Sequence, residues 1–155
     1  MLIAMLSLLQ SIEATALATW LRTGTWAYPV LEIVHIFALG TVIGTMVLVD
    51  VAVIAGRDAA ANRLLARQAL PLTWMAFGVA AVTGLAMFAA RATDLGFNRA
   101  LWIKLALIAC AGLNAGWFHL RDSLGRRDTV ARLQALGSLG IWLAVVCAGR
   151  LIAYL

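Results

Sequence analysis

The sequence predicts an all-α integral membrane protein, a four-helix bundle with short interfacial N-terminal helices, forming one membrane domain over residues 1–155. Three observations carry that expectation. The chain is 64% hydrophobic and only 12% charged, whereas soluble domains are roughly 45–50% apolar and about 25% charged. The excess is gathered into four runs of about 20 residues, the length that crosses a hydrocarbon core. Eleven of the twelve basic residues are Arg, and most lie in the short connections between those runs, where basic residues set orientation. No stretch interleaves clustered bases with exposed aromatics, so nucleic acid is excluded as a partner.

Residues 1–27 come first. No basic region precedes the opening apolar run and no clean small-x-small cleavage site follows it, which argues against a cleaved signal peptide. Glu13, Thr15, Thr19 and Arg22 interrupt the segment too often for a span. Leu8, Leu9, Ile12, Leu17, Trp20 and Leu21 recur at helical spacing, which predicts one or two short helices in the membrane interface. Trp20, Trp26 and Tyr28 would belong to an aromatic belt.

Span 1 is expected over about 28–54, with Pro29 in its first turn. Gly40 and Gly44 form a GxxxG, a spacing that admits a second backbone or a flat ligand. Span 2 is expected over about 69–90, after a connection at 55–68, with Pro71 in its first turn. Span 3 covers about 100–119 and span 4 about 133–155. Cys110 and Cys147 fall inside spans, in no CxxC or zinc spacing, and read as packing residues. Connections 1 and 3 with their flanks hold Arg57, Arg63, Arg67, Arg121, Arg126, Arg127 and Arg132. The opposite side holds Arg22, Arg91, Arg99 and Arg150. This bias puts connections 1 and 3 in the cytoplasm, with both termini periplasmic, in a bacterial inner membrane.

The polar residues within the spans carry the functional reading. Ionisable groups at such depth are costly and mark function by default. Counting residues from the same side of the membrane puts His35, Lys104 and Arg150 in one outer layer. Gly84 of span 2 falls in that layer too. Asp50 and His119 belong to a second layer at the cytoplasmic edge, where they could pair. The outer layer is suited to haem b. His35 would be an axial ligand, Lys104 a second metal ligand or close partner, and Arg150 the cation for the propionates. Gly84, Gly40 and Gly44 would make room for the ring. The bland alternative is an ion-paired cluster of Glu32, Lys104 and Arg150 that fixes helix register, with His35 a hydrogen-bonded member. Copper is a second chemistry, since Met46, Met87, Cys110 and Cys147 supply soft atoms. A small-solute transporter and a cofactor-free accessory subunit of a membrane complex complete the alternatives. Expected partners are the lipid bilayer, a membrane or periplasmic redox protein, and, as an open alternative, a second copy of the chain.

The run WAYPVLEIVHIFALGTVIGTMVLVD, the Arg-bearing loop after it, the Thr83-Gly84 pair and LWIKLALIACAGLNAGWFH together resemble a bacterial family of short four-span membrane proteins of unknown function. The resemblance extends over nearly the whole chain, including LLQSIEATALATWLR. The pattern is also distantly similar to the membrane domain of the copper resistance protein D family and to the HemJ-type protoporphyrinogen oxidase, a haem-b membrane protein. In the latter, a His early in one span and a Lys in a later span form the functional pair. The resemblance implies that role for His35 and Lys104. The chain lacks the GLxYLPRLFVYH-like stretch that follows the His in the oxidase and carries Glu32 ahead of it, so the implication extends to the scaffold and its His/Lys layer.

Overall fold

The computed structural model describes residues 2–126 and 128–154. Seven helices follow one another among them: α1 (Leu2–Glu13), α2 (Ala16–Thr23), α3 (Ala27–Ile54), α4 (Ala59–Ala90), α5 (Ala92–Gly96), α6 (Arg99–Leu120) and α7 (Thr129–Leu151). Four of them, α3, α4, α6 and α7, are long and apolar enough to cross a membrane. The chain is a multi-pass membrane bundle. Both helical hairpins turn at one end, called the hairpin end below; α1, α2 and α5 gather at the other, the α5 end.

The bundle closes through small residues at alternating three- and four-residue spacing. On α4 the buried positions include Asn62, Ala66, Ala69, Ala76, Ala80 and Thr83, with half-buried Thr73 between. On α3 the facing set is Ala38, Val42, Thr45, Val49 and Ala52. This alternation keeps one narrow stripe turned toward the partner helix. Alanines bring the backbones close, and the two hydroxyls of Thr45 and Thr73 meet across the seam at 2.7 Å. A second stripe on α7 packs on α3, where Val53 meets Ala131 and Ala135, flanked by Ile54, Phe118 and Leu124. In lipid, packing and hydrogen bonding of this kind hold helices together, because the tails are as apolar as the side chains.

Helix α6 packs chiefly on α7, and α4 packs on α3, so the order across the bundle is α4, α3, α7, α6. Few residues of α6 are buried, Ala100 and Ala111 being the two. A gap therefore separates α4 from α6.

The lead-in forms two helices bent 68° from each other. They cap the α5 end. Thr15 caps α2, and Leu9 packs so closely on Gly96 of α5 that a Cβ there would come within 2.7 Å of its Cδ1. Glu13 accepts from the Thr93 amide at 2.8 Å and its hydroxyl at 2.7 Å. These hydrogen bonds, and then the Arg22 guanidinium, hold the Glu13 carboxyl below its ordinary range. Asn98 caps α6 and also donates to the Ile152 carbonyl, joining the 91–98 connection to the end of α7.

Two expected boundaries move. Residues 59–68 are not a connection: Asp58 caps the chain at Ala60, and α4 runs for 32 residues, carrying Pro71 inside it. At about 1.5 Å per residue that is roughly 48 Å, well over the roughly 30 Å of hydrocarbon. The helix therefore projects past the core, and its helix-forming Ala, Leu and Arg residues extend it as readily as they would a loop. Helix α7 starts four residues earlier than the expected span, capped by Asp128. It stops at Leu151, so Arg150 lies in its last turn rather than deep in a longer span; Leu155 lies outside the described residues. The lower-side Arg127 and the initial Met1 lie outside them as well.

The aromatic girdles locate the core. Trp74 and Trp117 are exposed on α4 and α6 toward the hairpin end, and Trp20, Trp26 and Trp102 are exposed at the α5 end. On α6 the two belts are 15 residues apart, from Trp102 to Trp117, or roughly 22 Å at helical rise, so they bracket most of a hydrocarbon core of roughly 30 Å.

Candidate functional site

His35 continues the buried stripe of α3, one turn before Ala38, and Thr83 continues that of α4. The two meet: His35 Nδ1 lies 2.8 Å from Thr83 Oγ1. The hydroxyl also lies 2.7 Å from the Val79 carbonyl and 3.2 Å from that of Ala80. A threonine has one proton to give. With that proton on a main-chain carbonyl, Oγ1 accepts from Nδ1–H. The neutral imidazole then keeps its lone pair on Nε2. Gly84 follows Thr83, and a Cβ there would stand 3.1 Å from His35 Cε1. The glycine therefore makes room for the ring itself.

Lys104 occupies the equivalent stripe on α6, where Ala100 and Ala111 are its buried members. Its side chain lies along Gly149 of α7, with Nζ 3.5 Å from where a Cβ would be. Among the described residues no carboxylate pairs with this amine. Four ion pairs join the described residues, Glu13–Arg22, Arg63–Asp122, Arg91–Asp94 and Arg121–Asp128, and none lies within the spanning stripes. The ion-paired cluster of Glu32, Lys104 and Arg150 does not form among them.

Other expected members fall elsewhere. Arg150 is exposed at the α5 end, donating to the Tyr154 hydroxyl at 2.7 Å and stacking on its ring at 5.0 Å. Gly40 and Gly44 stand about 140° and 180° around α3 from His35, both exposed, with nothing within 4 Å of an added Cβ. They face outward and pack against no helix of the chain. The expected pairing of Asp50 with His119 is overturned. Asp50 is buried at 6% exposure facing Ser138 of α7, and its Oδ2 has no hydrogen-bond partner among the described residues. His119 is exposed in the groove between α4 and α6. The two share a depth but point around their helices in different directions.

Cys110 and Cys147 are both free and exposed. Among the described residues no three His, Cys, Asp or Glu side chains converge as a metal-holding group. Sequence reading missed the role of Thr83, and the readable signal was the three–four stripe of small residues that ends on it. Gly149 was missed in the same way. No family model, curated protein or solved structure matches the chain.

Proposed function

We propose that the chain is a b-type haem protein of the bacterial inner membrane, serving electron transfer or another membrane redox step. One observation carries the reading: His35 Nδ1 lies 2.8 Å from Thr83 Oγ1, and with Nδ1–H donating to that oxygen, Nε2 is the nitrogen that would meet a ligand. A hydrogen bond of this kind at one ring nitrogen sets tautomer and orientation in metal-ligating histidines. Haem held there would supply one-electron chemistry at its iron. The protein's part is to present Nε2 from a stiff seam, to keep the Lys104 amine free of any acid, and to leave Gly84 without a side chain. Lys104 is the second ligand or a close partner, and Arg150 is the cation for a propionate at the α5 end. The Arg bias between the two ends supports a cytoplasmic hairpin end and periplasmic termini.

The test is an absorption spectrum with metal analysis on the full chain, expressed with haem supplied. A Soret band that disappears in His35→Ala, while the circular-dichroism melt shows the variant folded, is the expected result. Absence of both band and iron, or a band indifferent to His35→Ala, overturns the proposal. Bound copper that depends on Met46, Met87 or His35 would replace it with the copper reading.

A further inference from the structure

The gap between α4 and α6 opens at the hairpin end as a groove of about 460 Å³. Its floor is apolar, formed by Leu70, Pro71 and Phe118, and its mouth carries Arg63, Arg67 and His119. The depth of these residues is set by the tryptophan girdle. Leu70 and Pro71 lie four and three residues outside Trp74 and Phe118 one outside Trp117, and Arg67 and His119 lie seven and two residues outside the same tryptophans. At helical rise the cations stand roughly 3–10 Å beyond the girdle. On each helix the cation lies outward of its apolar neighbours, Arg67 of Leu70 and Pro71 and His119 of Phe118, so the whole groove sits at the headgroup level, just outside the girdle.

The groove is also built rather than left over. Helices α3 and α6 end in the same turn. The amides of Gly56 and Arg57 bond back to Val53 and Ala52, and those of Asp122 and Ser123 bond back to His119 and Phe118. The turn needs a left-handed residue, for which glycine is suited. Gly56 takes it at φ 67°, but in α6 it falls to Asp122 at φ 52°. The aspartate has a use there. Its carboxylate binds Arg63 of α4 at 2.6 Å, the one ion pair among the described residues that spans the groove. Gly125 lies directly beneath, and a Cβ there would come within 2.6 Å of the Arg63 guanidinium. The pair links α4 to the turn after α6 and satisfies Arg63. Arg67 forms no ion pair among the described residues. Pro71 has no amide proton to give the Arg67 carbonyl, so this turn of α4 presents a further polar atom toward the headgroup level.

We propose that this groove is a binding site for one anionic phospholipid, its phosphate held by Arg67 with His119 and its first acyl segment laid along Leu70, Pro71 and Phe118. Basic pockets between spanning helices take acidic headgroups by this combination of charge and apolar wall. The site is independent of the haem reading, and its ligand is a component of the membrane the protein already occupies.

Native mass spectrometry of the full chain in mild detergent tests it, with phosphatidylglycerol and phosphatidylcholine offered in equal amounts. Phosphatidylglycerol should be retained preferentially. Arg67→Gln should reduce that preference about fivefold, the effect of one interfacial cation. Arg67→Lys should restore most of it. Arg57→Gln removes an exposed charge at the same end but outside the groove, and should leave the preference intact. Equal retention of the two lipids overturns the proposal, as does an equal loss in Arg57→Gln. Inorganic phosphate bound through Arg67 with no lipid preference would also overturn it, making the ligand a soluble anion.

Discussion

His35 and Asp50 sit on the same helix about four turns apart, and their surroundings differ in kind. His35 is half-buried, has a hydrogen-bond partner on the neighbouring helix, and keeps one ring nitrogen uncommitted. Asp50 is enclosed. So are Asn62 and Gln134, each at 5% exposure, and each of the three has one polar atom without a partner among the described residues. Buried polar atoms left unpaired are destabilising. Around them Ser123 donates to Gln134 Oε1 at 2.7 Å, and Asn114 donates to the Gln134 carbonyl at 3.2 Å. The hairpin half thus uses polar groups to join α6, α7 and the 121–128 connection. The other half holds a polar group in place and leaves part of it available. A single helix carries both arrangements, so polarity within a span does not by itself mark a ligand site. What separates the two is whether the neighbours enclose the group or orient it.

The contrast breaks most sharply at Thr83. Thr83→Val keeps the volume and removes the acceptor for His35 Nδ1. Haem retention should fall about 10–100-fold, the usual effect of removing such a partner, with little change in the melting curve. Thr83→Ser should restore it. Ser138→Ala, the matching hydroxyl deletion opposite Asp50, should leave haem retention alone. Haem lost equally in both variants would show that the two halves are not separate.

Next in size is Gln134→Leu, which strands the buried Ser123 hydroxyl. It should lower stability by about 1–3 kcal/mol, read from denaturation in detergent, with the absorption spectrum unchanged. Asp50→Asn should have a smaller effect of opposite sign. It removes a buried carboxylate that has no countercharge among the described residues and keeps its shape, so stability should rise by about 1 kcal/mol. A fall would mean that the charge of Asp50 is used.

The spans were legible in the sequence because an apolar run of bilayer length has few other uses. His35 and Lys104 were legible because their cost in lipid demands a reason. Depth could be counted from either end of a span, and the Gly84 position does lie against the His35 ring, while Lys104 lies along Gly149. Rotation about the helix was harder. Gly40 and Gly44 lie near the middle of the helix that carries His35 but turn away from it, and Asp50 shares a level with His119 but faces another helix. At 100° per residue, one or two positions decide which neighbour a side chain meets. The three–four stripes of α3, α4 and α7 contain that information, since Thr83 and His35 both lie on them. The extension of α4 was hidden for another reason. Arg63, Arg67 and Gln68 look like a loop in a membrane protein, and a helix leaving the bilayer carries the same residues.

The smallest expected effect compares the two ends through their carboxylates outside the spans. Glu13 is held below its ordinary range by Thr93 and Arg22, and Asp128 by Arg121, at 2.5 Å, and the Ala131 amide. A depressed folded pKa contributes stability above the unfolded pKa and loses it as pH falls through the folded value. Both contacts should therefore hold at neutral pH, and weaken below the ordinary values of 4.5 for Glu13 and 3.8 for Asp128. Their consequences differ. Glu13 is a polar link between the lead-in and α5, so acid should lower exchange protection, measured against the intrinsic rate at each pH, in α1 and α2 first. Asp128 caps a helix already packed along α3 and α6, so acid should affect only its first turn. Exchange protection at pH 7 and pH 3, with Glu13→Gln as the variant in which the lead-in is already loosened at pH 7, separates the two. Protection in α1 that is independent of both pH and Glu13 would mean that Leu9 against Gly96 alone holds the cap.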